Sequence, residues 1–140
     1  MRDYLFRGKV LENEFKNDKN TPKWAVGSFH KDPSGFCKIT DYKTGGTYGV
    51  IPETVGEFIG QEDKIDKPIF EDDIIFIPRE AGTFKRDVVG LVIYNNCAYW
   101  AIGIDSAFNM VLGMVNIKLI QVIGNKHDNP EFFTGEKLAV

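Results

Sequence analysis

The sequence is poor in the residues that staple small scaffolds. Cys37 and Cys97 are its only cysteines, far apart and in no metal-ligand spacing, and His30 and His127 are its only histidines. That scarcity excludes the common zinc patterns; two Cys could form one bridge, but two buried thiols in a reducing cytoplasm are the simpler expectation. Long apolar runs are missing too. Residues 107–115 form the longest, already broken by Asn109 and Gly113, whereas a membrane helix needs roughly 20 apolar residues. The opening Met1-Arg2-Asp3-Tyr4-Leu5-Phe6-Arg7 holds no apolar signal-peptide core. The expectation is a cytoplasmic protein with no membrane partner. Positive charge is not in excess: 17 Lys and Arg face 20 Asp and Glu, a net charge of −3, which argues against non-specific coating of nucleic acid. Helical periodicity is scarce, because Gly or Pro interrupts the candidate windows.

What is present favours strands. The 140 residues suffice for one domain, 43% of them hydrophobic and 26% charged, which excludes a disordered chain. Eleven Phe and 14 Gly suit short strands and tight turns. Apolar, turn-bounded runs recur at residues 23–29, 36–40, 47–51, 57–59, 68–70 and 74–77. The clearest hairpin joins residues 88–94 to 98–104 through Asn95-Asn96, since Asn tolerates the positive φ of a two-residue turn. Its first arm is apolar almost throughout, which predicts cover on both faces. A last strand is expected over residues 117–123, and Asn129-Pro130-Glu131 opens a short terminal helix. The expected fold is mainly β. Tight strand spacing favours a small barrel over a sandwich.

Charge is segmented. Residues 1–43 carry +3, residues 44–73 carry −6, and the remainder is neutral. Tyr4, Phe6, Trp24 and Tyr42 are interleaved with the basic residues of the first segment. Arg2, Arg7, Lys9, Lys23, Trp24 and Tyr42 are therefore possible nucleic-acid contacts, with bases stacking on the rings. The plainer reading makes those aromatics core and the lysines the outer face of strands.

The search for chemistry finds little. Asp63, Asp66, Glu71, Asp72 and Asp73 are the densest polar feature, yet the D-x-[DN]-x-[DN]-G calcium loop is absent. Turn carboxylates accepting backbone N–H groups are the structural reading. Ser28-Phe29-His30-Lys31 and Lys43-Thr44-Gly45 match two short motifs of penicillin-recognising enzymes, but the Ser lies in an expected strand and the third motif is missing. Gly45, Gly46 and Gly49 make no phosphate loop. The expectation is a protein that is not an enzyme, with no catalytic residue, metal or cofactor.

Three blocks carry a family resemblance. Phe58-Ile59-Gly60, Asp63-Lys64-Ile65-Asp66 and Ile69-Phe70-Glu71-Asp72-Asp73-Ile74-Ile75 follow one another within residues 55–75. Arg2 with Phe6-Arg7-Gly8-Lys9 opens the chain, and Val122-Ile123-Gly124-Asn125 precedes Asn129-Pro130-Glu131 near its end. In this order they resemble the YopX family of bacteriophage and prophage proteins. Two departures fall at turns: Asp66 and Asp72 stand where the family usually has Gly. Asp tolerates a left-handed backbone, so the turns can survive. Gln61 replaces a common Leu, exposing or loosening one core contact. The resemblance implies an SH3-like barrel over residues 55–140, with residues 1–54 as an amino-terminal β-rich extension, the whole forming one compact unit. It implies a phage or prophage origin and supplies no activity.

The functional expectation is a non-catalytic accessory module in the host cytoplasm, binding a phage or host protein or assembling as a homo-oligomer. Within residues 106–115, Phe108, Met110, Leu112 and Met114 form the possible interaction surface, with Ser106 and Val111 in the same stretch. The equally plain reading of this stretch is a buried core strand. A nucleic-acid-binding β-barrel is the alternative.

Overall fold

A computed structural model describes residues 5–15, 20–104 and 107–133. The described residues form eleven strands and six short 3₁₀ turns, with no α-helix among them. They group into two compact units, divided between Phe58 and Ile59.

In the first unit, β1 (Phe6–Lys9), β2 (Trp24–Lys31), β3 (Cys37–Asp41), β4 (Thr47–Gly49) and the start of β5 (Gly56–Glu62) form an antiparallel sheet ordered β4-β3-β2-β1-β5. Period-2 alternation explains it. Ala25, Cys37, Ile39 and Tyr48 face one side, where they meet Val10 and Val50 with Phe6 and Phe29 against them. The opposite side takes Arg7, Lys9, Trp24 and Lys38, because Arg7 pairs with Val26, Lys9 with Trp24, and His30 with Lys38. Gly27 is required between β2 and β3: a Cβ there would collide with the Thr40 carbonyl oxygen.

The second unit begins with the rest of β5, whose neighbour is β6 (Pro68–Phe70). Then follow β7 (Asp73–Ile77), β8 (Val88–Asn95), β9 (Ala98–Gly103), β10 (Asn109–Val111) and β11 (Gln121–Asn125). These last five form an antiparallel sheet ordered β10-β9-β8-β7-β11. Among the described residues no pairing joins β10 to β11, so the ladder stays open at both ends. Ile59, Ile69, Ile75, Ile77, Val92 and Ile120 anchor its core.

Four local expectations are corrected. The β8–β9 turn lies one residue later, at Asn96-Cys97, with φ of 50° and 61°. Its tip leaves Cys97 exposed, so of the two thiols only Cys37 is buried. Inward-facing Val92 must oppose Ala101 and Tyr94 must oppose Tyr99, and a one-residue slip would reverse every side chain. β8 buries Val88, Gly90 and Val92 fully but leaves the other face half-covered. Residues 117–119 form a 3₁₀ turn rather than a strand, because the Asn116 side chain accepts from Lys118 N–H and caps it. The short terminal helix does form, as a 3₁₀ turn over Pro130–Phe133.

Candidate functional site

Two acids of the acid-rich stretch, Asp63 and Asp73, are taken up by the backbone. Asp63 is fully buried. Its Oδ1 accepts from the N–H groups of Ile65 and Lys67 at 3.0 and 2.9 Å, and its Oδ2 from Val122 N–H at 2.9 Å. One carboxylate thus closes its own turn and holds the start of β11. Burial pushes this carboxyl up, but the donors from Val122, Lys67 and Ile65 outweigh that and hold it below the ordinary carboxylate range. Asp66 and Asp72 take the left-handed backbone expected of them, at φ of 63° and 71°. Asp73 accepts from Phe70 N–H at 2.8 Å. Asp41 does the same work in the first unit, taking Val26, Lys43 and Thr44 N–H. Burial raises its pKa, and those backbone donors lower it by more. Among the described residues no three His, Cys, Asp or Glu side chains are grouped to hold a metal ion.

The terminal block is equally structural. Asn125 Oδ1 accepts from His127 and Asp128 N–H, while Asn129 Oδ1 accepts from Asn125 N–H at 3.1 Å. A Cβ at Gly124 would lie 2.5 Å from that Asn129 oxygen, which is why glycine precedes Asn125. His127 Nε2 lies 3.1 Å from Asp72 Oδ2, both side chains mostly buried. Sequence spacing gives no hint of this pair, whose members are 55 positions apart.

Among the described residues, two surfaces gather most of the residues singled out in the sequence, and a further cavity of about 340 Å³ lies against Phe84, Arg86 and Phe108. The first is an apolar cleft of about 320 Å³ in the second unit, lined chiefly by Ile59, Tyr99, Val111, Leu112, Val115 and Ile117. Gln61 and Gly113 complete its lining, so the polar substitution noted in the sequence falls on the cleft. Beside it runs β10, an end strand of its sheet. The structure distributes the expected interaction residues unevenly. Leu112 is core, Met110 is half-buried, and Phe108 packs edge-on against Phe84 at 5.1 Å. Met114 stands out, 73% exposed. Ser106 lies outside the described residues. Sequence reading missed Ile59, Tyr99 and Ile117, because each sits in a separate apolar run with no distinguishing signal.

The second surface is the outward side of the first unit's sheet. The Arg7 guanidinium lies 5.0 Å from the Trp24 ring centroid, and Lys43 Nζ lies 5.9 Å from that of Tyr42. Pro22, Trp24, Val26, Tyr42 and Lys43 line a slot of about 240 Å³. Lys9 shares this face, and Lys23 is exposed one position before Trp24. Arg2 lies outside the described residues.

Among the described residues no helix is long and apolar enough to cross a membrane. A profile described as YopX protein matches residues 6–134. The crystal structure of protein yopX from Bacillus subtilis is similar in fold, with a TM-score of 0.55 at 15% identity. The similarity covers 94% of this chain and 98% of that one. No curated protein matches the chain.

Proposed function

The chain belongs to the YopX family, and from that premise we propose that it is a phage or prophage accessory protein, a non-catalytic module of the host cytoplasm that binds a protein partner. One observation carries the reading: an apolar cleft sits beside an end strand. A partner segment laid along β10 extends the sheet through main-chain hydrogen bonds and places alternate side chains at the cleft. Val111 belongs to both the strand and the lining. Met114, exposed next to that lining, adds a flexible apolar contact. The partner is a phage or host protein, or a second copy of this chain.

The non-catalytic part rests on where the polar groups go. Asp63 and Asp73 accept backbone N–H groups, and Asp72 faces His127, which supports reading these acids as structural. The second unit is read as an SH3-like barrel. Its meander β7 to β10, the 3₁₀ turn over Ile117–Leu119 and the return of β11 to β7 support that reading.

The test changes exposed residues only. The tagged chain is used to capture proteins from phage-infected or induced cells under nuclease, alongside light scattering of the purified chain. A nuclease-resistant partner, or a self-associated species, is expected, and Gln61→Arg with Met114→Asp abolishes it while the thermal transition stays put. A monomer that captures no nuclease-resistant protein overturns the proposal.

A further inference from the structure

The outward side of the first unit's sheet has a chemistry of its own. Alternation places Arg7 and Lys9 of β1, Trp24 and His30 of β2, and Lys38 of β3 on this side. Among the described residues, no outward position of β1 to β4 is acidic, in a chain whose net charge is −3. Asp41, the one acid lining the slot, is 4% exposed and turned to backbone donors at Val26, Lys43 and Thr44. The first unit's described residues carry as many acids as bases; on this side the cations gather around the slot, while at the Lys38 end the Glu14 carboxylate lies 3.5 Å from where a Cβ on Gly49, the partner of Lys38, would stand.

Two rings bound the slot. Trp24 stands on β2, and Tyr42 is tied beside it because Tyr42 N–H donates to the Val26 carbonyl at 2.9 Å. Tyr42 is 61% exposed, unusual for an aromatic with a hydrogen-bonded backbone. Each ring has a cation over it, Arg7 on Trp24 and Lys43 on Tyr42. Further along β2 come Ser28, opposite Thr40 of β3, then His30, opposite Lys38. From Trp24 to His30 the strand runs roughly 20 Å, at about 3.3 Å per residue.

We infer that this face binds single-stranded nucleic acid, with a base stacked at the Trp24–Tyr42 slot and phosphates meeting Arg7, Lys43 and Lys38. Stacking needs only a π-face, so such a surface tolerates any base, while the cations track the backbone. Arg7 and Lys43 beside the slot make that end of the face complementary to a polyanion. The rings make it more than a charge patch, since an acidic peptide uses the cations and leaves the rings idle. This surface lies within the first unit and does not depend on the apolar cleft.

The experiment is fluorescence anisotropy of a labelled thymidine 20-mer at low and physiological salt, with thymidine monophosphate and polyglutamate as competitors. Tyr42→Ala and Lys43→Glu alter exposed side chains, and their thermal transitions serve as folding controls. Saturable binding at low salt is expected. Tyr42→Ala should weaken it roughly fivefold to hundredfold, the span of one lost base–aromatic stack. Lys43→Glu should flatten the log–log salt slope by roughly 0.7, as one released phosphate contact requires. Four results overturn the inference: no binding at low salt, full binding by both variants, competition by the monophosphate at the oligomer's own concentration, or equal competition by polyglutamate. The third would make the slot a nucleotide site, and the fourth would make the face a dock for acidic protein.

Discussion

Replacing Asp63 by Asn tests how one carboxylate organises the second unit. The side chain is fully buried and accepts three backbone N–H groups, two on Oδ1 and one on Oδ2. Asn keeps the shape but has one acceptor oxygen. With that oxygen toward Ile65 and Lys67, its NH₂ group points at Val122 N–H, so two donors face each other. The reverse orientation strands the other two donors. An unsatisfied buried donor costs about 1–3 kcal/mol, and bonds to a charged acceptor contribute about 1.5–3 kcal/mol each. Asp63→Asn should therefore cost about 3 kcal/mol. With a urea m-value of about 2 kcal/mol/M, the midpoint falls by roughly 1.5 M. The assay is urea unfolding followed by Trp100 fluorescence in a Trp24→Phe background, at pH 7 and at pH 3. The sign of the pH effect follows from the lowered pKa. A carboxyl that ionises more readily when folded stabilises the fold above its unfolded pKa, near 3.9, and loses that contribution as pH falls through the folded value. The gap between wild type and variant should shrink on acidification. A midpoint shift below about 0.3 M at pH 7, corresponding to roughly 0.5 kcal/mol, or a gap unchanged at pH 3, refutes the reasoning.

Four further substitutions have expected outcomes. Asp66→Gly should stabilise the protein by up to about 1 kcal/mol, since glycine takes φ of 63° without strain. Asp72→Gly should gain less or lose, because the 3.1 Å contact with His127 disappears; paired urea midpoints compare the two. At the β8–β9 turn, Cys97→Gly should raise the midpoint by the equivalent of roughly 0.5–1 kcal/mol, as glycine suits its φ of 61°. Gly27→Ala should destabilise the first unit by about 2 kcal/mol or more, because its methyl must displace the Thr40 carbonyl, and hydrogen exchange in β2 and β3 reads the loss.

The family motifs fall at turns and strand ends. Asp66 and Asp72 were legible in advance because a left-handed residue is a local property, decided by sterics between neighbouring peptide units. Phe58, Ile69 and Ile74 likewise announce strands through their immediate neighbours. The candidate surfaces were less legible. Trp24, Tyr42 and Arg7 could be named because aromatic and basic residues interleave in the first segment. The cleft could not, since Ile59, Tyr99 and Ile117 look like any other core residues until the fold leaves a space among them.

The sequence by itself determined the β class, the family and the left-handed turns at Asp66 and Asp72, because alternation, turn chemistry and close spacing act within a few residues. Only the tertiary structure decided what Asp63 binds, since Val122 is 59 positions away. It alone paired Asp72 with His127 and returned β11 to β7. It also separated Leu112, in the core, from Met114, in solvent, two apolar neighbours that no periodicity distinguishes. Burial is set by what the rest of the chain packs against a residue, and that information is not local.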